Sequence, residues 1–289
     1  MTGSDCWSRW LATRRFGGDA EVEREATARL ADVRDAVLSR AALTGAEALL
    51  DVGCGEGLIG FGALDTGGTT VVFSDVSQPL LDGCRERAEA LGVEERCRFV
   101  LASADDLSPV ASASVDVVTT RSVLIYVGNK REAFGEFFRV LRPGGRISLY
   151  EPINRFAACG PGRFGGYDLT AAPAIAEKLK SVYDAIQPPK ADPMLDFDER
   201  DLVRLCEDAG FHPIDLDLHV EIRSTRPQPW DAFANTAGNP RIPTLAEAME
   251  HALSPSERDS LTGLLRPQVE TGDGVWRMAH AFLAAVKPA

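Results

Sequence analysis

Two hydrophobic periods alternate along the chain, and the switches between them mark out its elements. Ala26, Leu30, Val33, Val37 and Ala41 recur at helical spacing, which predicts an amphipathic helix over residues 20–43. A short, mostly apolar run, Ala48 to Val52, then suits a strand buried on both faces. Further runs at Val71–Asp75, Arg98–Leu101, Val115–Thr120 and Ile147–Tyr150 read the same way. Phe197 to Ala209 returns to the helical period, with Leu202, Val203, Leu205 and Cys206 on one face and Gly210 as its stop. In residues 214–222, Ile214, Leu216, Leu218, Val220 and Ile222 alternate with polar neighbours, a strand pattern. Arg277 to Val286 is expected to be the last strand, antiparallel and paired with the sixth. The predicted fold is α/β: a Rossmann-like, seven-stranded, mostly parallel sheet with an antiparallel last strand.

Between these elements lie two long excursions, 152–195 and 224–274, both rich in turn residues. The second has four prolines between Pro227 and Pro243 and a helical pattern at 244–253. Strands five and six are expected to run parallel to the earlier strands, so both excursions should leave the sheet at its carboxyl edge. Ligands of open α/β sheets bind there. The division that follows is a helical lid segment at 1–45 and a domain at 46–289 carrying two lid-forming, acceptor-side insertions.

The first strand ends in chemistry. Residues 51–57 read Asp-Val-Gly-Cys-Gly-Glu-Gly, a carboxylate followed by alternating glycines. Such glycines permit a tight turn and close approach of a ligand to the backbone. The helix expected from about Leu58 would aim its positive end at that ligand. Gly55 to Gly60 also match G-x-G-x-x-G, the dinucleotide fingerprint. Asp51 and Glu56 would repel a pyrophosphate at that turn, whereas an ammonium and a sulfonium would be attracted. S-adenosylmethionine (SAM) carries both, which favours it over NAD.

Here the chain resembles the class I SAM-dependent methyltransferases, over about 46–151. Asp51–Gly57 is similar to their first motif. Val71–Asp75 ends in an acid twenty-four positions after Asp51, near the roughly 20-residue spacing at which an acid meets ribose hydroxyls. Ala102 to Leu107 is similar to the segment that borders adenine. Ser103 departs from the aspartate often found there; its hydroxyl, or Asp105, could take that role. Val140 to Arg146 resembles the turn before strand five. The resemblance implies SAM as cofactor, with contacts from Asp51, Gly53, Gly55, Asp75, Val76, Ser103, Ala104, Asp105 and Arg121. It also implies a small-molecule acceptor. Tyr126, beside the acceptor, and Glu151, ending strand five, are the catalytic candidates. Methyl transfer needs a base only when the acceptor must lose a proton of high pKa.

Composition narrows the partners. The 289 residues carry a net charge of −12 with 45% hydrophobic content, which supports a packed core and disfavours a nucleic-acid or acidic membrane partner. No secretory or membrane-spanning pattern is evident, and the six cysteines form no C-x-x-C pair, so the protein is expected to be cytoplasmic and its thiols reduced. Cys159, in a Gly-rich loop, is the one thiol singled out. No His/Asp/Glu cluster has metal spacing, so no metal is expected. His212, His219, His251 and His280 have structural readings. The number of chains is left open, a homodimer being one outcome. Trp7, Trp10 and Leu11 read either as a helix packed on the domain or as a lid over the methionine end of SAM, hinged at Gly17-Gly18, with Arg14 or Arg15 meeting its carboxylate. An NAD(P)-dependent oxidoreductase and a non-catalytic SAM-binding or partner-binding protein are the alternatives.

Overall fold

The structure, a computed structural model, describes residues 5–157, 162–189 and 191–289. Asp5 caps a short helix α1 (Cys6–Arg9), which runs into a π-helical turn at Trp10–Arg14. Asp19 then accepts hydrogen bonds from Glu21 N and Val22 N and starts α2 (Ala20–Ala41), the amphipathic helix read from the sequence. The sheet domain follows as β1 (Ala48–Val52), α3 (Leu58–Leu64), β2 (Thr70–Asp75), α4 (Gln78–Ala90), β3 (Cys97–Leu101), β4 (Val115–Arg121), α5 (Lys130–Val140) and β5 (Leu141–Pro152). The first excursion holds α6 (Asn154–Ala157), a hairpin of β6 (Arg163–Phe164) and β7 (Tyr167–Asp168), and α7 (Pro173–Ile186). After α8 (Glu199–Ala209) and β8 (Ile214–Ser224) comes the second excursion, with α9 (Trp230–Asn235), α10 (Leu245–Ala252) and α11 (Pro255–Thr271). β9 (Val275–Val286) closes the chain.

The seven-stranded sheet has the order β3-β2-β1-β4-β5-β9-β8. β1 to β5 pair in parallel, while β9 runs antiparallel between β5 and β8 and pairs with both. Pairing of the last strand with β5 as well as with the sixth extends the expectation from sequence. β5 also begins earlier than its apolar run suggests, because Leu141 pairs with Val115 before the register shifts at the Arg142–Gly145 turn.

Both faces of the parallel strands are covered, which explains their continuous apolar runs. Successive side chains point to opposite faces. Thus Leu50 and Val118 pack with Phe134 and Phe137 of α5 and Leu202 and Cys206 of α8. Their neighbours Leu49 and Val117 pack with Phe61, Phe73, Leu81 and Cys84 on the side of α3 and α4.

The excursions share a core of their own. Tyr167, Leu169, Ile175 and Leu179 from the first pack with Leu245, Met249, Leu261, Leu265 and Val269 from the second. Buried Lys130 ties this cap to the sheet domain, donating to Val127 O at 3.0 Å, Pro193 O at 3.0 Å and Asp196 Oδ1 at 2.6 Å. α7 and α11 are absent from the sequence reading. α11 has a start signal, since Ser254 and Glu257 form a reciprocal capping box. Gly263 and Pro267 interrupt its apolar period.

Candidate active site

A cleft of about 290 Å³ crosses the carboxyl edge of the sheet. Its wall takes Ser103, Ala104 and Asp105 after β3, Asp75 and Val76 at β2, Gly53 and Gly55 after β1, and Arg121 and Tyr126 at β4. Every one of these was singled out from the sequence. The fold gathers them because β3, β2, β1 and β4 are successive neighbours in the sheet. Ala102, Leu80, Ser122, Val123, Val127, Gly128 and Arg241 complete the wall. Arg241 has no local signal, for it arrives from the Pro-rich part of the second excursion.

Two glycines make the turn after β1 usable. Gly53 has φ +63°, and a Cβ there would stand 2.4 Å from Val123 Cγ2. Gly55, at φ +55°, would present a Cβ to open space, with no protein atom within 4 Å. The backbone at Gly55 is therefore bare to the cleft, a cradle that a side chain would fill.

The acids divide into an inner and an outer one. Asp51 is 2% exposed and absent from the cleft wall. It accepts from Gly60 N at 2.9 Å and Thr119 Oγ1 at 3.1 Å, bracing α3 against β1 and β4. Burial pushes its carboxyl up to about 7. The field argument drawn from the sequence placed this acid at the ligand, so that part of it is corrected. Asp75 is the acid on the wall. Its Oδ2 accepts from Gly55 N at 2.8 Å and its Oδ1 from Ser77 N at 2.9 Å, joining the first turn to the second. Burial raises its carboxyl too, against these amide bonds. At the next strand end, Ser103 Oγ donates to Asp105 Oδ1 at 2.5 Å, so the two candidates for one role form a single polar unit.

At β4 the chain turns through Ser122, a non-glycine residue at φ +58°. Glu151 holds that turn from beneath. Its Oε1 accepts from Thr120 Oγ1 at 3.0 Å, Val123 N at 3.0 Å and Leu124 N at 3.1 Å. It is 1% exposed and lines neither the cleft nor the larger chamber beside it. Burial raises its carboxyl to about 7. The expectation that Glu151 faces an acceptor is corrected to a positioning role. Tyr126 does face the cleft, and burial pushes its phenol up to about 12, so at neutral pH it is a hydrogen-bond donor.

The N-terminal segment covers the cleft. Trp7, Trp10 and Leu11 lie on its wall, with the Trp7 ring edge-on to Tyr126 at 4.8 Å. The segment is pinned to the second excursion: Trp10 Nε1 donates to Ala237 O at 2.7 Å, Ala237 N donates to Arg14 O at 2.9 Å, and Arg14 pairs with Glu247. Arg14 is thus engaged by the second excursion, through Ile242 O and Glu247. Beyond this partition opens a chamber of about 600 Å³, its wall including Phe164, Tyr183, Phe233, Ile242, Trp276 and Arg15. Of the aromatics singled out in the excursions, Phe164, Tyr167, Tyr183 and Phe233 line it. Trp230 packs on the cap core and Phe156 on the sheet core.

The histidines stand apart from both cavities. His219 and His280 stack at 5.2 Å across β8 and β9, and His251 is exposed on α10. Cys159 lies outside the described residues. Among the described residues, no group of three His, Cys, Asp or Glu could hold a metal ion, and no helix is long and apolar enough to cross a membrane.

With this geometry in place, the comparisons with known proteins fall into line. Residues 50–149 match the family described as methyltransferase domain. Methyltransferase GfsG of Streptomyces halstedii is 36% identical over 107 residues, 37% of this chain and 38% of that protein. The tRNA 5-carboxymethoxyuridine methyltransferase of Escherichia coli K12 is 33% identical over 101 residues, 35% of this chain and 38% of that protein. The chain thus spans about two fifths of the length of these relatives. The fold is shared with Haemonchus contortus phosphoethanolamine N-methyltransferase 2, at a TM-score of 0.53, 18% identity, and coverage of 89% of this chain and 53% of that one. Residues 50–149, with the strand order above, are a class I SAM-dependent methyltransferase domain. SAM is the methyl donor of that family.

Proposed function

We propose that this protein is an enzyme that moves the methyl group of SAM onto a small-molecule acceptor. The observation that carries this reading is a pair of cavities: a cleft across four strand ends, and a larger chamber to which the insertions contribute aromatic side chains. The cleft fits a nucleoside with an amino-acid tail. Asp75 would accept from ribose hydroxyls, and the Ser103–Asp105 pair would meet the adenine edge between Val76 and Leu80. The side-chain-free turn at Gly53 and Gly55, with Arg121, would hold the amino-acid end. Bound there, SAM supplies a methyl carbon on a positively charged sulfur.

The residues at β4 suit positioning more than proton removal. Tyr126, a phenol at neutral pH, can donate to an acceptor atom, and Glu151 fixes the turn that presents it. Trp7, Trp10 and Leu11 exclude water from the cleft, as the lid reading of the N-terminal segment requires. Exclusion of water and fixed geometry are the main contributions such a site can make to an in-line displacement. The aromatic side chains on the chamber wall and the net charge of −12 support a small organic acceptor over a polynucleotide.

The test is calorimetric titration of the whole chain with S-adenosylhomocysteine and separately with NADH, followed by a methyl-release screen over a metabolite library. Saturable binding of the homocysteine compound alone, with turnover of at least one acceptor, is expected. Binding of NADH in its place would overturn the reading. Donor binding with no turnover on any acceptor would leave the non-catalytic alternative standing.

A further inference from the structure

Three arginines gather where the cleft, the chamber and the partition meet. Arg121 and Arg241 line the cleft, and Arg15 lines the chamber. Arg241 Cζ stands 6.0 Å from the Tyr126 ring centre, and Arg15 Cζ lies 5.5 Å from the ring centre of Trp10, itself on the cleft wall. They come from β4, the N-terminal segment and the second excursion, so no local sequence pattern announces the group.

Their partners are aromatic faces rather than acids, Arg15 lying over the rings of Trp10 and Phe16 and Arg241 over that of Tyr126. Eighteen ion pairs occur among the described residues, and they include the neighbouring Arg14 but none of these three. Nor does any of their guanidinium groups donate to a protein acceptor there. No acid pairs with these three, although Asp19, Glu21 and Glu25 line the chamber together with Arg15. Arg15 is largely buried, and desolvation followed by repulsion from Arg121 lowers its guanidinium to about 10. Glu56, exposed on the glycine turn, is the acid whose charge reaches Arg15. Clustered guanidinium groups in a partly dry cavity fit an anion, which they can bind with charge-assisted, bidentate bonds.

The amino-acid end of SAM has one carboxylate, and Arg121 at the cleft's β4 end suffices for it. Arg15, on the chamber wall, and Arg241, on the cleft wall, remain. We propose that Arg15 and Arg241 form an anion subsite for the acceptor, which is an organic anion with an apolar or aromatic body. The body lies in the chamber against Phe164, Tyr183 and Phe233, and the anionic group reaches the partition beside Tyr126. This subsite rests on the methyltransferase reading, since it presumes the donor in the cleft.

The experiment uses the full chain saturated with S-adenosylhomocysteine. Naphthoate and its neutral isostere naphthamide are titrated at neutral pH into the wild type and into Arg15→Gln and Arg241→Gln. Naphthoate is expected to bind about tenfold tighter than naphthamide, the discrimination of one charge-assisted contact. Each variant should lose most of that preference, and Arg15→Gln, whose side chain is off the cleft wall, should keep its homocysteine-compound affinity within about threefold. In Arg241→Glu the preference should invert toward naphthylmethylammonium, a gain that misfolding cannot produce. Equal affinity for the two probes, no binding of either, or a preference that survives both Gln variants would overturn the proposal. So would a loss of about tenfold or more in homocysteine-compound affinity in Arg15→Gln, which would assign that arginine to the donor. Failure of the wild type to bind S-adenosylhomocysteine at all is a separate result, and it strikes the methyltransferase reading itself.

Discussion

The donor side and the acceptor side of this molecule are built by different means. On the donor side, strand ends and backbone groups do most of the shaping. Asp75 holds Gly55 N, Glu151 holds Val123 N and Leu124 N, and Gly53 admits Val123 against the turn. On the acceptor side, side chains from segments far apart in sequence meet across a second core, and long-range bonds such as Trp10 to Ala237 close the partition. A backbone-built site follows once the sheet order is set. A side-chain-built site can change its chemistry without disturbing the sheet, so specificity resides in the cap.

The sharpest way to break this comparison is at Gly53. Gly53→Ala forces a Cβ into Val123 at a positive φ, so S-adenosylhomocysteine affinity should fall about a hundredfold by calorimetry. Retained affinity would mean the turn is not backbone-limited.

Next come the two acids. Asp75→Ala removes the acceptor for Gly55 N and the acid on the wall, and a loss of roughly tenfold or more in affinity is expected. Asp51→Asn keeps the shape of a residue that touches no cleft wall, so affinity should change less than about threefold. A large loss in Asp51→Asn would restore the field argument read from the sequence.

The smallest effect is on stability against pH. Glu151 and Asp51 both have folded-state carboxyls raised to about 7, above their ordinary values of 4.5 and 3.8. Between those ordinary values and about 7 the folded protein holds more protons than the unfolded chain. Stability therefore falls as pH rises through that window. Glu151→Gln, which mimics the protonated acid, should flatten the decline in melting temperature between about pH 5 and pH 7, by roughly 1–2 kcal/mol in stability. An unchanged slope would show that Glu151 is charged when folded.

Much of the cleft was legible because its residues sit at fixed offsets from apolar runs. Gly53, Gly55, Asp75, Val76 and the Ser103–Asp105 pair each end or follow a strand whose period is visible locally. Asp51 and Glu151 misled because a residue's place at a strand end does not fix which way its carboxylate turns. Here backbone amides, from Gly60 in one case and from Val123 and Leu124 in the other, draw each carboxylate inward. α11 was missed although Ser254 and Glu257 mark its start, because Gly263 and Pro267 break the period that identifies a helix.

Periodicity and turn chemistry, both short-range, determined the sheet's strands and the glycine turn. The chamber, the partition and the arginine group were decided only by tertiary structure. They join residues far apart in the chain, as Trp10 and Ala237 are. No local pattern records which loops come to rest against each other; the burial of a second shared core decides that.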